Sequence, residues 1–276
     1  MKKKIWLALA ATAGVVTLSI AGLAVYIART WDRVWDAPLP AIHRSTDPEV
    51  IRRGEYLVNG PAHCVLCHSD SIDTTERLMA EGRPVPLVGG ARFAAAPLGV
   101  AYSKNLTPDP ETGIGRYSDE QIARLLRWGV RPNGRAVIQL LMPYDGMSDA
   151  DLAAIISYLR VQAPVRHEVP ADEFTLIGKI VKSLVPVFKP RRAVYPANTV
   201  PDSPRARGKY LARHVANCVG CHTRREPPTF AAKAPEFSGG SELEPEKRSG
   251  ADPLVWFRTP NLTPAAGSAL SKFPDR

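Results

Sequence analysis

The spacing of apolar positions changes several times along this chain, and each change marks an element. The first is an uncharged run from Ile5 to Ile27, preceded by Lys2, Lys3 and Lys4. As a helix it would span about 34 Å, enough to cross a bilayer core. Asp47-Pro48 then opens a helix as cap and first-turn proline, with Val50, Ile51, Tyr56, Leu57 and Val58 behind it. Gly54 in that helix predicts a close approach to another backbone or to a bound group. Gly82, Pro84, Pro86, Gly89 and Gly90 predict a long irregular stretch, of the kind that wraps a ligand rather than builds a sheet. Helical spacing returns at Ile122, Leu125 and Leu126, behind a Ser118/Gln121 capping box and ending at Gly129. It returns again at Leu152, Ile155, Ile156 and Leu159, behind Ser148 with Asp151, and stops before Pro164.

Residues 161–202 form a proline-rich connector. Within it Phe174, Ile177, Ile180, Val181 and Leu184 fall at helical spacing, with Lys179 and Lys182 between them. Packing between the flanking units is the preferred reading of this short helix; a position on a membrane surface is the alternative.

The pattern then repeats. Ser203-Pro204 restores the cap-and-proline start, and Arg207-Gly208-Lys209-Tyr210-Leu211 echoes Arg53-Gly54-Glu55-Tyr56-Leu57. Phe237-Ser238-Gly239-Gly240 echoes Leu87-Val88-Gly89-Gly90, and Asn261-Leu262-Thr263-Pro264 echoes Asn105-Leu106-Thr107-Pro108. The chain therefore divides into an anchor and tether (1–45), a first unit (46–160), the connector (161–202) and a second unit (203–276).

The repeat carries the chemistry. Cys64-Val65-Leu66-Cys67-His68 and Cys218-Val219-Gly220-Cys221-His222 use all 4 cysteines of the chain. C-x-x-C-H is the attachment signature of a c-type haem. Its two thiols lie on one side of a helical turn, and the following histidine reaches the iron. A zinc ribbon would set its pairs about 15–20 residues apart, far closer than Cys64 and Cys218. A thioredoxin-like pair would need a βαβ context, which the pattern does not supply. The expected cofactor is haem c, two copies, held by Cys64, Cys67, Cys218 and Cys221, with His68 and His222 as iron ligands. Met142 in Leu141-Met142-Pro143-Tyr144 is the expected distal ligand of the first haem, since a thioether suits haem iron. Met79 and Met147 are its rivals.

Charge and composition set the compartment. The three lysines before the apolar run and a neutral far flank place the N-terminus in the cytoplasm. Trp6 at one end and Trp31 and Trp35 at the other suit an interfacial belt. The run is too long for a cleaved signal core, although the Ala-rich stretch Ala8–Ala13 keeps cleavage open. An uncleaved anchor is expected, in the cytoplasmic (inner) membrane of a bacterium, with the haem units on the periplasmic side, where c-type cytochromes mature. Of the net charge of +9, the excess outside the tail sits in the second unit. There Arg205, Arg207, Lys209, Arg213, Arg224 and Arg225 crowd the second motif, either steering an acidic redox partner or neutralising propionates. Nucleic acid is excluded as a partner by compartment and by the lack of a fold for it.

The order of motifs, Arg53-Gly54-Glu55-Tyr56-Leu57, then C-x-x-C-H, then Asn-Leu-Thr-Pro, then Met-Pro-Tyr before a Ser-capped helix, resembles that of multi-haem cytochromes c. It is similar to the cytochrome subunits of membrane-bound alcohol and gluconate dehydrogenases. The resemblance covers residues 46–276 and implies covalent haem at Cys64 and Cys67 with His68 and Met142 on the iron. Those subunits typically carry three haems, whereas this chain has two motifs and an N-terminal anchor.

The expected fold is all-α: two tandem cytochrome c-like domains, the second incomplete, behind one transmembrane helix. Carrying the repeat forward, Met142 finds no counterpart before Arg276, and no methionine follows Met147. A truncated second unit, a substitute ligand such as His214, and a functional open iron are the three accounts. The expected function is one-electron transfer rather than catalysis, with a dehydrogenase, a quinol-linked complex or a terminal oxidase as partners. The alternative is a haem enzyme or small-ligand binder that uses an open second iron.

Overall fold

A computed structural model describes residues 2–191, 200–226, 230–243, 257–268 and 270–273. Pro196 of the connector and residues 274–276 of the second unit are among those that lie outside them. Helix α1 (Lys2–Thr30) carries the apolar run and is exposed along its length except at Ile27. It is the one helix among the described residues long and apolar enough to cross a membrane.

Three helices frame the first unit: α2 (Pro48–Asn59), α5 (Asp119–Trp128) and α6 (Asp149–Val161). Their starts follow the sequence signals. Asp47 accepts the Glu49 amide, Ser118 and Gln121 form a reciprocal capping box, and Ser148 accepts the Asp151 amide. The apolar faces meet in one core containing Leu57, Val58, Ile122, Ala123, Leu152, Ile155 and Ile156. The α2–α6 crossing is close because position 54 has no side chain. A Cβ on Gly54 would collide with the Ala154 carbonyl. Between α2 and α5 lie the short motif helix α3 (Cys64–His68) and α4 (Ile72–Ala80).

The molecule is mostly helical but not all-α. The stretch expected to be irregular contains strands β1 (Arg92–Ala95) and β2 (Gly99–Tyr102), paired antiparallel from Arg92↔Tyr102 to Ala95↔Gly99. The physical reason is local. Two short segments with β-compatible Phe93, Val100 and Tyr102 flank a tight turn, so their backbone groups satisfy one another. Strand β3 (Glu173–Phe174) in the connector adds to the β2 edge. Helix α7 (Leu176–Leu184) follows, and it packs on the foot of α1 and beside β3. The expected position between the two units is not where it lies: Trp31, Lys179, Lys182 and Phe174 join it to the end of α1.

The second unit begins with α8 (Pro204–Tyr210), runs through a wider turn at Leu211–Val215, and reaches the second motif helix α9 (Cys218–Cys221). Two short antiparallel ladders follow, β4 (Arg225–Glu226) with β5 (Ala231–Ala232) and β6 (Glu242–Leu243) with β7 (Phe257–Arg258). This unit does not stand apart from the first. Tyr210 and Val215 belong to the same buried core as α2, α5 and α6. The Tyr210 hydroxyl donates to Asp151 at 2.7 Å and accepts from the Ser148 amide at 2.9 Å. The buried Asp151 also takes a bidentate pair from Arg53 at 2.9 and 3.0 Å.

Candidate haem sites

The first motif is turned into place by His63, whose left-handed backbone (φ 55°) reverses the chain just before α3. Cys64, Cys67 and His68 then share one helical turn and face one cavity. The His68 ring is oriented by a single hydrogen bond. Its Nδ1 lies 2.8 Å from the Lys104 carbonyl oxygen, which can only accept, so Nδ1 carries the proton and Nε2 keeps its lone pair for a metal. Burial holds this imidazole below its ordinary pKa, with Arg131 and Lys104 adding to the effect and the Lys104 carbonyl opposing it. The ring is therefore neutral near pH 7, the form that ligates. Burial, and then the neighbouring Cys67, push the Cys64 thiol up to about 12.

The backbone around Lys104 is held by the Gly-Gly and Asn-Leu-Thr-Pro segments. The Gly89 amide donates to the His68 carbonyl at 2.8 Å, Gly90 to Ser103 at 3.0 Å, and Leu106 to Leu87 at 2.8 Å. Gly89 has φ +71°, and a Cβ there would strike the Lys104 peptide. Asn105 Oδ1 accepts the Thr107 amide at 2.9 Å.

The second motif repeats this bond by bond. Asn217 takes the left-handed conformation (φ 49°), and His222 Nδ1 lies 2.9 Å from the Pro260 carbonyl oxygen. The Gly239 amide donates to the His222 carbonyl at 2.8 Å, Gly240 to Thr259 at 2.9 Å, and Leu262 to Phe237 at 2.8 Å. Asn261 Oδ1 accepts the Thr263 amide at 2.8 Å. The echoes visible in the sequence are thus the parts that aim a histidine.

Both motifs open on one cavity of about 950 Å³. Its wall contains Cys64, Cys67, His68 and Met142 from the first unit and Cys218, Cys221 and His222 from the second. Leu106, Ile122, Leu126, Ile155 and Leu159 make much of the rest apolar. The structure separates the three methionines of the first unit: Met142 lines the cavity, Met147 is fully buried in the core, and Met79 is half-exposed on α4. The Met142 loop is pinned at several points. Tyr144 Oη donates to the Ala62 carbonyl at 2.5 Å, Arg191 donates to the Met142 carbonyl at 2.5 Å, and Arg127 holds Asp145, Met147 and Asp149. His214, the suggested substitute ligand, lies against Gly146 beside Tyr210 and is absent from the cavity wall.

Sequence reasoning did not find Lys104 and Pro260 as acceptors, because a backbone carbonyl carries no residue signature. Their neighbours Gly89, Gly239, Asn105 and Asn261 were the available signal. Arg127 and Arg191 were missed because an arginine on a helix face or in a proline-rich loop reads as solvated. Taken together, paired thiols, an imidazole with Nδ1 committed and a thioether on an apolar wall are the donor set a covalently held haem requires. The residues present fit that group at the first motif in full, and at the second by its thiols and His222.

Comparison with known proteins agrees with this chemistry. The chain is 31% identical, over 97% of its length, to the fructose dehydrogenase cytochrome subunit of Gluconobacter japonicus, of which it covers 50%. It is 33% identical over 64% of its length to the gluconate 2-dehydrogenase cytochrome c subunit of Pantoea cypripedii, covering 38% of that protein. Its homologues are cytochrome c subunits. A diheme c-type cytochrome of Cereibacter sphaeroides matches at 26% over 80% of the chain and 72% of its own length. The first two of these relatives are cytochrome subunits of dehydrogenases, and the third is a diheme cytochrome. The chain spans about half the length, or less, of the dehydrogenase subunits it matches. No family model matches the chain. The resemblance read from the motif order is borne out by these relatives.

Proposed function

We propose that this chain passes electrons one at a time through two covalently bound haems, on the periplasmic side of a bacterial inner membrane, between a dehydrogenase and the respiratory chain. The observation that carries the reading is the shared cavity, with both C-x-x-C-H motifs in its wall and each histidine already aimed by a carbonyl. Cys64, Cys67, Cys218 and Cys221 form the thioethers, and His68, Met142 and His222 bind iron. Haem c supplies the redox chemistry, its iron alternating between ferrous and ferric. The chain does the rest. The Lys104 and Pro260 carbonyls fix the ring planes and raise the basicity of Nε2. The leucine and isoleucine wall excludes water, and Tyr144 and Arg191 hold the Met142 loop in one position.

Helix α1 is the anchor. At 29 residues it is about 44 Å long, more than the roughly 30 Å hydrocarbon core. The exposed Arg205, Arg207, Lys209 and Arg224 form a basic rim for an acidic partner. Intact mass and pyridine haemochrome absorbance test the reading: two haems per chain are expected, and one in each of Cys64→Ala and Cys218→Ala. Colourless protein from an export-competent host with haem-ligation machinery would sink it. A second reading, small-ligand binding at the second iron, is favoured by the seat of His214 against Gly146, away from the cavity. Stoichiometric carbon monoxide binding to the reduced protein supports it; no binding removes it.

A further inference from the structure

Helix α7 is amphipathic, but it is packed the wrong way round for a protein surrounded by water. Its buried side is small and polar. Gly178 lies against the Leu98 carbonyl and Ser183 is buried. Lys182 keeps only 13% of its side chain exposed, lying 3.4 Å from Asp32 and over the rings of Trp31 and Phe174. Its outer side is apolar: Leu176 is 71% exposed, Ile177 50% and Leu184 48%. Ile177 and Leu184 are seven residues apart, two helical turns, so they lie on one stripe. Burying a lysine while exposing three aliphatic side chains is unfavourable in water, and becomes favourable when the outer face has an apolar neighbour.

The neighbour is indicated by what α7 touches. It packs on the end of α1, whose own apolar surface is uncovered, so two exposed apolar surfaces belong to elements that touch. At the junction Lys179 lies 4.7 Å from the Trp31 ring centre and Arg33 4.6 Å from that of Trp35. Tryptophan with basic side chains at the end of an apolar helix is the composition of a membrane–water interface. We propose that α7 is a second membrane contact, lying in the headgroup–acyl boundary of the bilayer that α1 enters, with Leu176, Ile177 and Leu184 in the lipid. This rests on the reading of α1 as the anchor. One spanning helix leaves the attached unit able to swivel; a second, off-axis contact fixes its tilt. The cavity mouth then holds one orientation toward the membrane.

The test uses the full-length, haem-loaded chain in vesicles of phosphatidylethanolamine and phosphatidylglycerol that carry a diazirine-labelled acyl chain. Light-generated adducts are mapped by mass spectrometry of peptides. Adducts are expected on both α1 and α7. Combined Leu176→Ser, Ile177→Ser and Leu184→Ser should cut the α7 yield several-fold while α1 labelling and haem absorbance stay unchanged. Ile177→Ser alone, the milder variant, should give a smaller cut in the same direction. Adducts on α1 with α7 at the level of the solvent-facing side of α2 overturn the inference and leave the anchor. Adducts on neither overturn both. Crosslinks from α7 to a second copy, without lipid adducts, assign the stripe to a protein partner and also overturn it.

Discussion

Gly54 and Gly208 occupy matching places in the repeat, yet their surroundings differ. A Cβ on Gly54 meets the Ala154 carbonyl and Tyr158, whereas nothing lies within 4 Å of one on Gly208. The same substitution should therefore have opposite signs. Gly54→Ala forces α2 and α6 apart and should cost about 1–3 kcal/mol. Gly208→Ala adds a better helix former in open space and should be neutral or stabilise by up to about 1 kcal/mol. Thermal unfolding midpoints of the two purified variants check this, and equal losses would mean that a helix also covers Gly208. The comparison isolates what the duplication kept. It preserved the turn, the motif and the carbonyl that aims the histidine, and among the described residues it did not preserve a helix crossing at this glycine.

At the scale of elements, much was legible in the sequence because it depended on local chemistry. The caps at Asp47, Ser118 and Ser148 and the apolar faces of α2, α5 and α6 appear where the residues place them. Helix α4 was hidden inside a stretch read as irregular, although Ser71 accepting the Thr74 amide was a usable start signal. The β1–β2 pairing was hidden because a short ladder in a Gly- and Pro-rich region depends on partner contacts that no periodicity records. Docking of α8 was also unreadable, since Tyr210 looks like an ordinary helix residue until Asp151 is beside it. Tyr210→Phe removes its bonds to Asp151 and Ser148 and should cost about 1–3 kcal/mol. Faster amide exchange in α8, with α2 unchanged, is the expected readout. The connector depends on Asp172, which joins Lys104 at 2.9 Å and Arg131 at 3.1 Å. Burial pushes this carboxyl up, but the Lys104 hydrogen bond and the Arg131 charge bring it below the ordinary value. A lowered folded pKa contributes stability that is present above the unfolded value, near pH 4, and is lost as pH falls through the folded one. Asp172→Asn should flatten that acid limb of the stability curve and lower stability at pH 7 by about 1–2 kcal/mol.

At the scale of the whole molecule, the arrangement that matters is one cavity with a motif from each unit in its wall. Two groups held in one cavity, behind apolar side chains, titrate in each other's field, because a charge is weakly screened there. Met142 gives a way to vary one group and read the other. On the proposed assignment of Met142 to the first iron, a His/Met pair raises the reduction potential, and Met142→His should lower the midpoint of that haem. At any given applied potential the first site then holds its electron less of the time. The second site takes up its electron beside a more oxidised, more positive neighbour, and its midpoint should rise. Spectroelectrochemical titration of wild type and variant measures both midpoints in one experiment. A fall in one with a rise in the other is the signature of a shared cavity. A fall in one with the other fixed would mean that water or protein screens the two sites from each other.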